Sequence, residues 1–188
     1  MPQAQHTCGD RRQSLRCGAS GLNLQPMQSS IALAGEARIT ELIRAYLAAE
    51  YRWELDGDWL GLRIGEPAPD VTARFPDAAQ FGLLSAWNPA SIERPEAANR
   101  AADDALQQAL LDSGREFRPA CSSAANRSWR EPGWLAIDMP LTDFDALSRR
   151  HGQLATLHWT AHAAIRMRVD AAMLRVLAGM PHIDWLRG

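Results

Sequence analysis

The stretch Phe81-Gly82-Leu83-Leu84-Ser85-Ala86-Trp87-Asn88-Pro89 decides the predicted fold. Its apolar residues occupy both sets of alternating positions, and a strand that is apolar on both faces is typical of the centre of a sheet. Asn88-Pro89 ends the run, because proline has no N–H to donate to a neighbouring strand. The stretch therefore predicts a central strand over 81–87 that stops at a polar turn.

Helical and strand patterns lie on both sides of this strand. Apolar residues at i, i+3, i+4, i+7 and i+8 predict a helix over 36–50. Asp56-Gly57-Asp58 joins two short alternating runs, which predicts an antiparallel hairpin because glycine accepts the positive φ of a tight turn. Further helices are predicted over 67–75, 95–112, 142–152 (opened by a capping box from Thr142 to Asp145) and 169–179, and further strands over 134–139 and 154–159, with 113–133 irregular.

These elements predict a fold of the α+β class. We expect a single domain over 31–188 with a mixed sheet of about five strands, which opens with the hairpin and has helices packed on the sheet. Residues 1–30 contain no aromatic residue and no apolar periodicity. Such a segment buries too little surface to offset its ordering entropy, so we expect a disordered N-terminal tail. Met27 is an alternative start of the protein.

Composition excludes several classes of protein. The chain has 188 residues, of which 46% are hydrophobic and 22% charged, and its formal net charge is −2. No strong basic field argues for nucleic acid, and no uninterrupted apolar stretch reaches the roughly 18 residues of a membrane span. Three widely spaced cysteines fit neither a disulfide framework nor a CxxC zinc site. All basic residues are arginine, which fits a GC-rich bacterial genome, and we expect a cytoplasmic bacterial protein.

Several short motifs resemble a known family. They are Leu84–Pro89, Asn99 in the following helix, Trp129-Arg130-Glu131, and Gly152-Gln153 before a late strand. Over about residues 46–160 the sequence resembles the bacterial domain of unknown function 3293. Ser85 departs from the usual threonine of that family, and Pro132-Gly133 departs from its usual Glu-Ser pair. The resemblance implies the same α+β fold and brings no activity with it.

The loop after the central strand is the candidate site. Where a buried strand ends and a helix begins, polar side chains and free N–H groups can bind small anions or polar ligands. The alternative is a purely structural turn, in which Asn88 forms an Asx-type turn and Asn99 ties the loop down. The predicted ligand-binding residues, the last two taken from the family-like motif, are Trp87, Asn88, Ser91, Asn99, Arg100, Trp129 and Glu131.

Three function classes follow from this loop. The leading hypothesis is binding of a small polar or anionic molecule. The second is an enzyme in which Glu131 acts as acid or base near Asn88. The third is a structural or protein-interaction module. We expect no cofactor and no membrane contact. We also expect no nucleic-acid partner, because acidic residues are interleaved with the arginines and tryptophans.

Two further patterns are weak. His158 and His162 are four residues apart, as metal ligands on a helix would be, but Trp159 between them belongs to a strand pattern. Cys121 has arginines nearby in sequence but no base assigned to it. We therefore predict neither a metal site nor a catalytic thiol.

Overall fold

A computed structural model of the chain describes residues 25–126 and 129–187. Four α-helices and eight strands are found there. None of these helices is long and apolar enough to cross a membrane. In chain order the elements are α1 Gln25–Leu47, β1 Glu50–Leu55, β2 Asp58–Leu62, α2 Pro69–Arg74, β3 Gln80–Leu84, α3 Glu96–Asp112, β4 Phe117–Ser123, β5 Arg130–Ile137, α4 Leu141–Arg150, β6 Ala155–Thr160, β7 Arg166–Ala172 and β8 Ile183–Arg187.

All eight strands belong to one sheet in the order β2-β1-β4-β5-β3-β6-β7-β8. Neighbouring strands are antiparallel except β7 and β8, which run parallel, so the predicted mixed sheet is confirmed. The prediction that 81–87 holds a central strand is also confirmed, since β3 lies between β5 and β6, although the strand ends at Leu84. The predicted number of about five strands was wrong.

The missed strands lack the patterns that indicate strands. The segment 113–133, predicted to be irregular, contains β4 and the start of β5. Pro119 and several polar residues hide β4 in the sequence, yet it pairs with β1 on one side and β5 on the other. The predicted helix over 169–179 was also wrong, because Met167, Val169 and Ala171 point into the core with period two while Arg168 forms an ion pair with Asp145.

The two faces of the sheet carry separate apolar layers. On one face the buried strand residues include Trp53, Phe81 and Trp159, and they pack with Ile43 of α1 and Val71 of α2. On the opposite face, α3 and α4 cover a second layer. That layer consists of Leu84, Ala86, Leu106, Leu110, Ala136, Met139 and Phe144. The predicted packing of helices on the sheet is therefore confirmed.

Element ends confirm some local predictions and correct others. The β1–β2 hairpin turns through Asp56 (φ 52°) and Gly57 (φ 95°), the positive φ pair expected of its sequence. The capping box was wrong, because Pro140 precedes α4 and Asp145 accepts hydrogen bonds from Arg168. The disordered tail over 1–30 stays a prediction: residues 1–24 lie outside the described residues, and residues 25–30 begin α1.

Gly82 gives a direct test of how α4 packs on the sheet. A Cβ atom at this position would overlap the ring of Phe144, which is 1% exposed. We expect Gly82→Ala to lower the free energy of unfolding by about 1–3 kcal/mol, the usual range for overpacking a core. Urea unfolding followed by circular dichroism measures the change.

The matched control is Gly61→Ala in β2, where an added Cβ meets nothing within 4 Å. We expect this variant to match or slightly exceed the stability of the wild type, because alanine loses less backbone entropy than glycine on folding. Equal stability of the two variants would contradict the described packing of Phe144 against β3.

Candidate functional site

The turn that follows β3 is held in an uncommon backbone conformation. Asn88, Ala90 and Ser91 have φ values of 43°, 51° and 53°, a left-handed region that residues with a side chain seldom occupy. Gly152 after α4 supports the turn, because its carbonyl oxygen accepts a hydrogen bond from the Ala90 N–H at 3.1 Å. Backbone strain from such positive φ values is frequent at functional sites, where side chains must be held in one particular position.

A reciprocal pair of amides fixes this turn to α3. The Asn88 N–H donates to Asn99 Oδ1 at 2.9 Å, and Asn99 Nδ2 donates to Asn88 Oδ1 at 2.8 Å. Both residues are buried, with 7% and 3% exposure. Arg94 adds to the same cluster, since its guanidinium donates to Asn99 Oδ1 and to the Ala86 carbonyl. The alternative of a tied-down turn therefore describes Asn99 well.

The side-chain amide of Asn88 also forms a hydrogen bond to the carboxylate of Glu131 on the sheet. Asn88 Nδ2 donates to Glu131 Oε1 at 3.0 Å, and the indole Nε1 of Trp129 donates to the same oxygen at 2.8 Å. Glu131 lies near the start of β5 and pairs with Ser122 of β4. Both hydrogen bonds that Glu131 receives from described residues end on Oε1. None of the described residues donates a hydrogen bond to its other oxygen, Oε2.

Burial changes the pKa values of the titratable side chains at this site. It raises the pKa of the Glu131 carboxyl, and the hydrogen bonds from Asn88 and Trp129 only partly offset that effect. Burial also raises the pKa values of the Tyr46 and Tyr51 hydroxyls, and the negative charge of Glu131 raises both further. Within residues 25–126 and 129–187, Glu131 forms no ion pair.

Glu131 faces a cavity of about 240 Å³ between α1 and the sheet. Tyr46 of α1 forms one wall, and its hydroxyl is 2.7 Å from the hydroxyl of Ser91. The Tyr51 hydroxyl donates to the Tyr46 carbonyl at 2.8 Å. A smaller cavity of about 50 Å³ shares Tyr46, Tyr51, Ser122 and Glu131 with the larger one. A carboxyl group and hydroxyls thus line an otherwise largely apolar space, the usual chemistry of a small-molecule site.

The structure brings together most of the residues predicted from the sequence. Asn88, Asn99, Trp129 and Glu131 form one hydrogen-bonded network, and Ser91 lines the cavity beside it. Arg100 is not part of this group, because it pairs with Glu96 on the exposed face of α3.

Trp87 helps to hold the turn through its backbone. Its N–H donates to Ser85 Oγ, and its carbonyl accepts from Gln153 Nε2 at 2.9 Å. The buried indole Nε1 of Trp87 has no hydrogen-bond partner among the described residues. In the structure Trp87 therefore positions the loop and does not line the cavity.

Sequence reasoning missed Tyr46, Tyr51 and Ser122 as site residues. Tyr46 fitted the apolar stripe of α1, and Ser122 fell in a segment predicted to be irregular. The available signal was weak: two tyrosines at otherwise apolar positions need hydrogen-bond partners for their hydroxyls when buried. The pairing of β1 with β4, which places Tyr51 opposite Ser122, is a long-range contact that local patterns do not predict.

The two other weak patterns lie apart from this site. His158 is in β6, where its Nε2 is 3.3 Å from Gln80 Oε1, and His162 lies in the turn after that strand. Cys121 is buried in β4. The described residues hold no group of three or more side chains suited to binding a metal ion.

The central part of the chain is similar to a known family. Residues 84–156 match the model of the family described as "Protein of unknown function (DUF3293)". This segment of the chain is similar to that family. The segment includes Asn88, Asn99 and Glu131, whereas Tyr46 and Tyr51 lie before it. The resemblance expected over about residues 46–160 is therefore confirmed over residues 84–156. No curated protein and no solved structure matches the chain.

Asn99 offers a test of the network that holds the turn. Removing its amide leaves the Asn88 N–H and part of the Arg94 guanidinium without partners in a buried place. We expect Asn99→Ala to lower the free energy of unfolding by about 1–3 kcal/mol, the usual cost of an unsatisfied buried group. Chemical denaturation measures this change.

Gln108→Ala is the control, because it removes an exposed amide from the same helix. We expect it to change stability by no more than about 0.5 kcal/mol. If Asn99→Ala were as mild as this control, the loop would not depend on the Asn88–Asn99 pair.

Proposed function

We propose that the protein binds a small polar molecule in the cavity beside Glu131. One observation supports this proposal. The part-buried carboxyl group of Glu131 borders the cavity, and the hydrogen bonds that it accepts from Asn88 and Trp129 both end on Oε1. Polar groups already held in place bind a ligand at a lower entropic cost than mobile ones. The Asn88 amide and the Trp129 indole supply that order before any ligand arrives.

The walls of the cavity suit a molecule with an apolar part and a polar end. Leu42, Ala45 and Ala49 provide apolar surface, and Tyr46 and Ser91 provide hydroxyls. The cavity is slightly below the size range of sites for drug-sized ligands, so a small metabolite fits it better.

Charge favours a neutral or cationic ligand over an anion. Arg94 directs its guanidinium at Asn99 and Ala86, and Arg100 pairs with Glu96 outside the cavity. Arg38 at the cavity lies 3.8 Å from Glu41 and its side chain is 58% exposed. The carboxyl of Glu131 is thus the most enclosed charged group of the site.

An enzyme is the second candidate function. It is favoured by the raised pKa of the Glu131 carboxyl, because perturbed pKa values are frequent among groups that give and take protons in catalysis. The Asn88 and Trp129 donors would keep such a carboxyl in one orientation during proton transfer.

A fragment titration tests the binding proposal. We expect at least one of benzylamine, benzyl alcohol and benzoate to shift the Trp129 indole N–H resonance of ¹⁵N-labelled protein, because that N–H donates to Glu131. Ala45→Trp should abolish the shift by filling the mouth of the cavity, where Ala45 is exposed.

Ala101→Trp on an exposed position of α3 is the matched control, and it should leave the titration unchanged. Binding in this cavity would be contradicted if none of the three fragments shifted the indole resonance, or if the shifts persisted in Ala45→Trp.

A further inference from the structure

We propose that the molecule bound beside Glu131 is an organic cation, with a protonated amine placed against Oε2 of that carboxylate. This inference rests on the proposed function and specifies its ligand class. It depends on two observations: the hydrogen bonds and ion pairs around Glu131, and the aromatic residues that line the same cavity.

The partners that the described residues offer this carboxylate are neutral. The Asn88 amide and the Trp129 indole both donate to Oε1, and neither carries charge. Across the described part of the chain, no arginine or histidine lies within ion-pair distance of Glu131. Ionised groups that are removed from water are normally paired with an opposite charge. A ligand cation would supply the missing charge.

Two arginines of the site pair with other groups. Arg94 reaches the same cluster of side chains, yet its guanidinium is held by Asn99 and the Ala86 carbonyl. Arg38 lines the cavity but pairs with Glu41 at its exposed side, where solvent weakens its field. Neither of these two arginines is paired with Glu131, so within the described ranges its negative charge is left for a ligand cation to offset.

The walls also suit a cation. Tyr46, Tyr51 and Trp129 line the same cavity as Glu131. Aromatic rings attract cations through their negative faces, and aromatic residues grouped with a carboxylate are suited to bind alkylammonium groups. Leu42 and Ala45 offer apolar surface for the carbon skeleton of such an amine.

The strength of charged hydrogen bonds gives a measurable consequence. An alcohol also donates to Oε2, but a charged donor forms a bond about twice as strong as a neutral one. We expect benzylamine to bind at least about tenfold more tightly than benzyl alcohol at pH 7, and benzoate to bind most weakly. These probes share one ring and differ chiefly in the charge of their polar group.

The deciding experiment compares these three probes on the wild type and on Glu131→Gln. Affinities are measured from the Trp129 indole N–H shift, assigned by its loss in Trp129→Phe. Glutamine keeps an oxygen that can accept from Asn88 and Trp129 but removes the charge. In Glu131→Gln we expect the preference for benzylamine over benzyl alcohol to disappear, while benzyl alcohol binds as in the wild type.

Each contrary result has its own meaning. Equal binding of amine and alcohol by the wild type, or an amine preference that survives in Glu131→Gln, overturns the cation proposal and leaves the binding proposal standing. Tightest binding of benzoate, lost in Arg38→Ala, overturns it in favour of an anion site. If no probe binds the wild type, the proposed function itself fails. The wild-type comparison decides the matter even if Glu131→Gln does not fold.

Discussion

The paired amides of Asn88 and Asn99 are the constraint on which the rest of the site depends. They hold Asn88 in a left-handed conformation at the end of β3 and join that strand to the first turns of α3. While Asn99 donates to its Oδ1, the Asn88 side chain donates from Nδ2 to Glu131. A buried contact between two small side chains thus sets the orientation of the carboxyl group at the cavity.

Burial of the Glu131 carboxyl has a cost for folding, which the hydrogen bonds from Asn88 and Trp129 partly offset. Because burial raises the pKa of Glu131, the native protein favours its protonated form more than the unfolded chain does. The sign follows from linkage: this contribution lowers stability as pH rises from the unfolded pKa of the group through its higher native pKa. Retaining a group that weakens the native state at neutral pH is characteristic of functional sites.

Local chemistry predicted some parts of the fold, and long-range pairing determined the others. The Asp56-Gly57 turn and the apolar run at Phe81 have strong signals, so the hairpin and the central strand were confirmed. Pro119 interrupts the strand pattern of β4. In β7, Arg168 forms an ion pair with Asp145, which lies 23 residues earlier in the sequence. The family-like motif indicated Glu131, but Tyr46 and Ser122 join it only through packing of α1 and pairing of β4 with β5.

A direct titration of the Glu131 carboxyl tests the central claim. The side-chain carboxyl ¹³C resonance of Glu131, identified by its absence from Glu131→Gln, would be followed by NMR across the acid range. We predict a pKa above that of glutamate in an unstructured peptide, because the group is part-buried and its described donors are neutral. A pKa at or below the peptide value would show that the carboxyl is solvated or ion-paired, and would contradict this account of the site.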